Sequence, residues 1–229
     1  MINKKKNHQG STLLNIMLNV VLPSIILIKC SSSIGPVKSL LLALLFPVIY
    51  GIQEFIRHKK SNILSVIGFI SIFLTGAIGL LQLEPQYLAI KEALIPLVIA
   101  VVIFTTQHSK YPIVIKLFEQ LLDLSHIQKY LDNNQKKDHY EKVLRMSSTL
   151  VGLSFLVSSC LNYILARLVV VSPPGSVAFN QELGKMTALS YPVIALPSSI
   201  ILVIAIWVLI KKLQQLTGLS LENLLKVKK

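Results

Sequence analysis

Five charged residues set in or beside long apolar runs are where this chain could do chemistry: Lys91 and Glu92, Arg167, and Glu182 with Lys185. An ionisable group among apolar helices is costly. It therefore points either to a proton or cation site or to an ion pair closed on itself. If a helix opens at Pro85, Lys91 and Glu92 lie about 9–10 Å along it at the helical rise. Lys91 and Arg167 are long enough to snorkel to headgroups, whereas the shorter Glu92 needs a partner or a wet cavity. With Glu182 and Lys185 on the following outer loop, the five are expected to form one polar cluster under the outer surface.

The elements that must position these charges are apolar helices. The 229 residues are 53% hydrophobic and only 14% charged, with a mean hydropathy of +0.66, values that set the chain apart from a soluble domain. Apolar stretches at 12–28, 37–55, 63–83, 86–106, 147–171 and 186–210 each approach the roughly 17–25 residues of a bilayer-spanning helix. The expected architecture is an all-α, polytopic bundle of six membrane helices. It divides into a basic N-terminus (1–11), helices one to four (12–106), a cytoplasmic amphipathic segment (107–146), helices five and six (147–210) and a basic amphipathic tail (211–229).

Charge gives the orientation. Of the 23 basic residues, eighteen fall in the N-terminus, the link after the second span, the 107–146 segment and the tail. The positive-inside rule then places both termini in the cytoplasm. The formal charge of +13 is spread over membrane-flanking segments without a nucleic-acid reader motif. It predicts anionic lipid headgroups, and no nucleic acid, as partner. Lys4 to Lys6 followed by an apolar run resembles a signal peptide without its cleavage site, and Lys29 before Cys30 departs from a lipoprotein signal, so this segment is expected to remain as the first helix. Cys30 and Cys160 lie at different depths, which argues against a disulfide and makes Cys160 a small core residue.

Within the helices, Ala43-Leu44-Leu45-Phe46-Pro47-Val48-Ile49 recurs as Ala188-Leu189-Ser190-Tyr191-Pro192-Val193-Ile194 and, shortened, as Ala93 to Ile99 around Pro96. This spacing suggests three helical-hairpin repeats. Pro23, Pro47, Pro96, Pro192 and Pro197 each remove a backbone donor and mark candidate hinges. Thr75, Gly76, Gly79, Ser154, Ser158, Ala195 and Ser199 permit close helix approach, and Asn15, Asn19 and Asn162 supply polar contacts between helices. Val114, Leu117, Phe118, Leu121, Leu124 and Ile127 recur at helical spacing and predict an amphipathic helix on the membrane surface. Residues 132–142 read as a polar, mobile stretch. In the tail, Gly218 is expected to end one helix and Ser220 to cap a short second one. His8, His58, His108, His126 and His139 have no catalytic partners in sequence. No metal-ligand spacing or nucleophile constellation is present, so neither an enzyme nor a cofactor is expected.

The run Leu74-Thr75-Gly76-Ala77-Ile78-Gly79-Leu80-Leu81, the acidic turn at Glu84, the helix start at Ile90-Lys91 and the stretch Leu161-Asn162-Tyr163-Ile164-Leu165-Ala166 resemble the intracellular septation protein A family. Ser172-Pro173-Pro174-Gly175, Phe179-Asn180, Glu182-Leu183-Gly184 and Met186 to Ser198 are similar to an uncharacterised group of proteobacterial six-helix inner-membrane proteins, sometimes labelled major facilitator transporters. The chain departs from the septation pattern at Ile90, Asn180 and Gln181. The resemblance implies a non-enzymatic envelope or septation-like factor acting through envelope or division proteins. The transporter label implies a small-solute or ion carrier that would have to work as a homo-oligomer, because one six-helix half is present.

Overall fold

A computed structural model of the chain describes residues 16–58, 63–109, 112–119, 122–123, 127 and 137–225. The basic N-terminus, Asn15, the 59–62 link, Leu121, Leu124 and the 128–136 stretch lie outside the described residues. The described chain is all-helical. In chain order the helices are α1 (Met17–Ile34), α2 (Pro36–His58), α3 (Ile63–Leu80), α4 (Pro85–Thr106), α5 (Ile113–Phe118), α6 (Lys137–Val169), α7 (Val177–Ser190), α8 (Leu196–Thr217) and α9 (Leu221–Leu224). Among the described residues, α1, α2, α4, α6 and the run Val177–Thr217 are long and apolar enough to cross a membrane, and Gly68–Leu80 of α3 forms a shorter apolar helix. Phe73, Val203 and Trp207 are 70%, 64% and 59% exposed, the outward apolar surface that a bilayer covers and water does not.

Several boundaries differ from the sequence expectation. α1 continues past 28 to Ile34, with the Ser31 hydroxyl donating to the Leu27 carbonyl at 2.7 Å. The chain then reverses at Gly35, whose φ of 88° suits glycine, and Pro36 opens α2 where its missing N–H costs nothing. α6 begins at Lys137, so residues 137–142 are helical and not a mobile stretch. Most of the expected outer loop before the sixth span is helical too. Ser176 caps α7 by accepting the Phe179 N–H at 3.0 Å, which puts Glu182 and Lys185 on a helix.

The prolines divide into two kinds. Pro47 and Pro96 sit inside regular α-helix, whereas Pro192 lies in a π-turn, Tyr191–Ala195, with Pro197 just beyond it at the start of α8. Pro23 follows another π-turn, Met17–Val21, in which the Leu22 N–H reaches the Met17 carbonyl. A π-turn lets backbone groups displaced by proline find partners one residue further along. Cys160 is exposed, contrary to its expected place in the core, and Cys30 is half-buried; both are free thiols.

The chain forms two compact units, Met1–Ile95 with Cys160–Ile194, and Pro96–Ser159 with Ala195–Lys229. In the first unit, α1, α2, α3, α4, the end of α6 and α7 share a core that includes Leu27, Leu40, Ala43, Ile78, Leu88, Leu165, Phe179 and Leu183. Gly76 and Gly79 carry the α2–α3 approach, since a Cβ on them would stand 3.0 Å from Leu44 Cδ1 and 2.5 Å from Leu40 Cδ2. Gly184 seats α7 against the backbone of α1: a Cβ there would meet the Ser24 carbonyl oxygen at 2.9 Å and Ile28 Cγ1 at 2.8 Å. A leucine tip can rotate away, but a helix carbonyl cannot. Gly184→Ala is therefore expected to destabilise the protein by about 1–3 kcal/mol through overpacking, despite the gain of roughly 1 kcal/mol in helix propensity. The midpoint of thermal unfolding in detergent checks this, with Gly76→Ala expected to move it less.

In the second unit, Val114 and Phe118 of α5, Leu122, Ile127, Leu144 of α6, Leu209 and Leu213 of α8 and Leu224 of α9 close a common core. The expected amphipathic helix is interrupted, because α5 ends at Phe118 and Leu122 and Asp123 are not helical. Of its expected apolar side, the side chains of Val114, Phe118 and Ile127 are described, and all three are buried in this core, as is Leu122. The tail completes it. Gly218 ends α8 in the left-handed conformation, with its N–H on the Gln214 carbonyl at 2.8 Å. Ser220 precedes α9, but its hydroxyl caps nothing. Leu225 bridges Leu122 in antiparallel fashion, and the Asp123 N–H donates to the Leu224 carbonyl at 3.0 Å.

Candidate functional site: a buried lysine between two hairpin helices

α3 and α4 are joined by only four residues, so positions equally far from that connection stand opposite each other. Thr75 lies five residues before the end of α3 and Lys91 six beyond the start of α4. Ser71 and Thr75, four apart, share one face of α3. The Lys91 ammonium enters that face, donating to Thr75 Oγ1 at 2.7 Å and Ser71 Oγ at 3.1 Å, with the Ser71 carbonyl at 3.5 Å. Its own neighbour Glu92 accepts at 2.7 Å through Oε1. Thr75 in turn donates its hydroxyl proton to the Ser71 carbonyl at 3.0 Å. Lys91 is 7% exposed and Glu92 25%. All three ammonium protons thus have oxygen acceptors, which is what a buried ammonium requires.

The Lys91 ammonium is not free in solvent. Its partners straddle its own position, Thr75 at about 7.5 Å and Ser71 at about 13.5 Å from the connection against about 9 Å for the lysine Cα, at the helical rise. Nor do the five charges form one cluster. Glu182 is a loop clasp: its carboxylate accepts the Val171 and Ser172 N–H groups at 3.0 and 2.8 Å and the Ser172 hydroxyl at 2.7 Å. These are donors released where α6 ends. Lys185, one turn along α7, is exposed and within Coulombic reach of Glu182. Arg167 is exposed in an open groove with Glu84, Gln86 and Val170, and the Gln86 amide donates to the Glu84 carboxylate. Among the described residues no ion pair links Arg167 to the Lys91–Glu92 pair.

A second polar centre was not apparent from sequence. Asn180, 1% exposed, donates through Nδ2 to the Pro36 carbonyl at 2.7 Å, Ser39 Oγ at 3.0 Å and Ser31 Oγ at 3.2 Å. The two serine hydroxyls are 2.8 Å apart. This knot ties α7 to the α1–α2 turn. Both serines also bond their own helices, so Asn180→Ala removes the tie without orphaning them. It is expected to cost about 0.5–1.5 kcal/mol, read as a lower unfolding midpoint with unchanged helical content. Asn19 and Asn162 lie half-buried in α1 and α6.

No family model, curated protein or solved structure matches this chain.

Proposed function

We propose that the chain is a multi-pass protein of a bacterial inner membrane, with six spans and both termini in the cytoplasm. It acts as a non-enzymatic, septation-like envelope factor through protein partners. What supports a structural role for the intramembrane charges is the closure of the Lys91 site: every ammonium proton is taken up by Ser71, Thr75 or Glu92 of the same chain. Such a site holds two helices together without requiring a ligand. The three proline-centred hairpins fit a parallel repeat, and the basic flanks fit contact with anionic headgroups.

A second reading, a small-solute or ion transporter working as a dimer, is favoured by the partial exposure of Glu92 beside a buried lysine. A deletion strain separates the two. It is complemented with the wild type and with Glu92→Gln plus Arg167→Gln, and cell length and envelope-stress sensitivity are scored. Rescue by both proteins supports the envelope factor. Rescue lost only with the neutralised protein, at equal expression, counts for transport.

A further inference from the structure

The Lys91 ammonium is surrounded by oxygen alone: one carboxylate, two hydroxyls and a backbone carbonyl, all within 3.5 Å. That is the donor set of a hard-cation site. We propose that Ser71, Thr75 and Glu92 form a monovalent-cation site and that Lys91 is a tethered cation filling it. Charge selects the valence. Withdrawing the ammonium leaves one negative charge, on Glu92, which a monovalent ion neutralises and a divalent ion overcompensates.

The hydroxyls do not collapse when the lysine leaves. Thr75 remains fixed to the Ser71 carbonyl of its own helix, so its lone pairs stay directed at the vacated position. Ammonium and methylammonium restore N–H donors there and are the best probes; choline, with none, serves as the control. In the wild-type protein the tethered amine outcompetes these ions, because its effective concentration at the site is far above theirs.

The test is the unfolding midpoint of purified wild type, Lys91→Ala and Lys91→Ala/Glu92→Gln, titrated with ammonium or methylammonium chloride against choline chloride at equal ionic strength. Wild type is expected not to respond. Lys91→Ala is expected to melt lower and to gain about 3–6 °C in ammonium at ten times its Kd, a rise that the added Glu92→Gln abolishes. An equal midpoint in ammonium and choline, or a rise that survives in the double variant, overturns the proposal. If Lys91→Ala cannot be recovered in choline, its monodisperse yield from membranes solubilised in ammonium is the readout, and equal loss in both salts overturns it. The proposal rests on the membrane reading for its setting. A wild-type protein released without detergent would defeat that reading, while the titration would still decide the cation site.

Discussion

Lys91→Met lowers the stability of the solubilised protein by about 3–5 kcal/mol, the cost of removing one partner of a buried ion pair. The loss arises from Glu92, 25% exposed and left as an unpaired carboxylate among apolar helices. Ser71 and Thr75 contribute little, because the Thr75 hydroxyl already has an acceptor in its own helix. Adding Glu92→Gln to Lys91→Met should therefore recover most of the loss, and the cycle of single and double variants measures the coupling directly. Additive losses would mean that the pair is not the source of the effect.

Phe118→Ala is expected to cost about 3–5 kcal/mol, the range for truncating a fully enclosed aromatic. Phe118 is 1% exposed within the core formed with Leu122, Leu209, Leu213 and Leu224. Ile113, at the start of the same short helix, is 47% exposed, and its replacement by alanine is expected to leave the unfolding midpoint nearly unmoved. A membrane-surface anchor would reverse the order: both substitutions would weaken lipid association and neither would change the stability in detergent.

The apolar elements were legible in the sequence because a bilayer allows few alternatives: backbone groups must be satisfied within each helix, and some 20 apolar residues are needed to cross. Gly76 and Gly79 were legible as packing residues for a related reason, since close approach between apolar helices needs small side chains. The ends were harder. Gly35 and Ser176 decide where α1 stops and α7 starts, and local backbone features of this kind leave no mark in a hydropathy profile. The tail's part in burying Phe118 was invisible because Leu122 and Leu225 are far apart in sequence. Lys91 and Glu92 stood out as charges in an apolar run, but the partners of the lysine did not. The informative signal was Ser71 and Thr75, four apart and at the matching depth across a four-residue connection. Asn180 read as a surface-loop residue because the helix carrying it was not foreseen.

The proposed topology, with both termini in the cytoplasm, puts the α3–α4 connection outside and the tail inside. With Cys30 and Cys160 replaced by alanine, Glu84→Cys and Glu222→Cys each offer one thiol at an exposed position to a membrane-impermeant maleimide. In intact spheroplasts the account predicts labelling of the cysteine at 84, and of that at 222 only after the membrane is permeabilised. Labelling of both before permeabilisation, or of the tail alone, would contradict it.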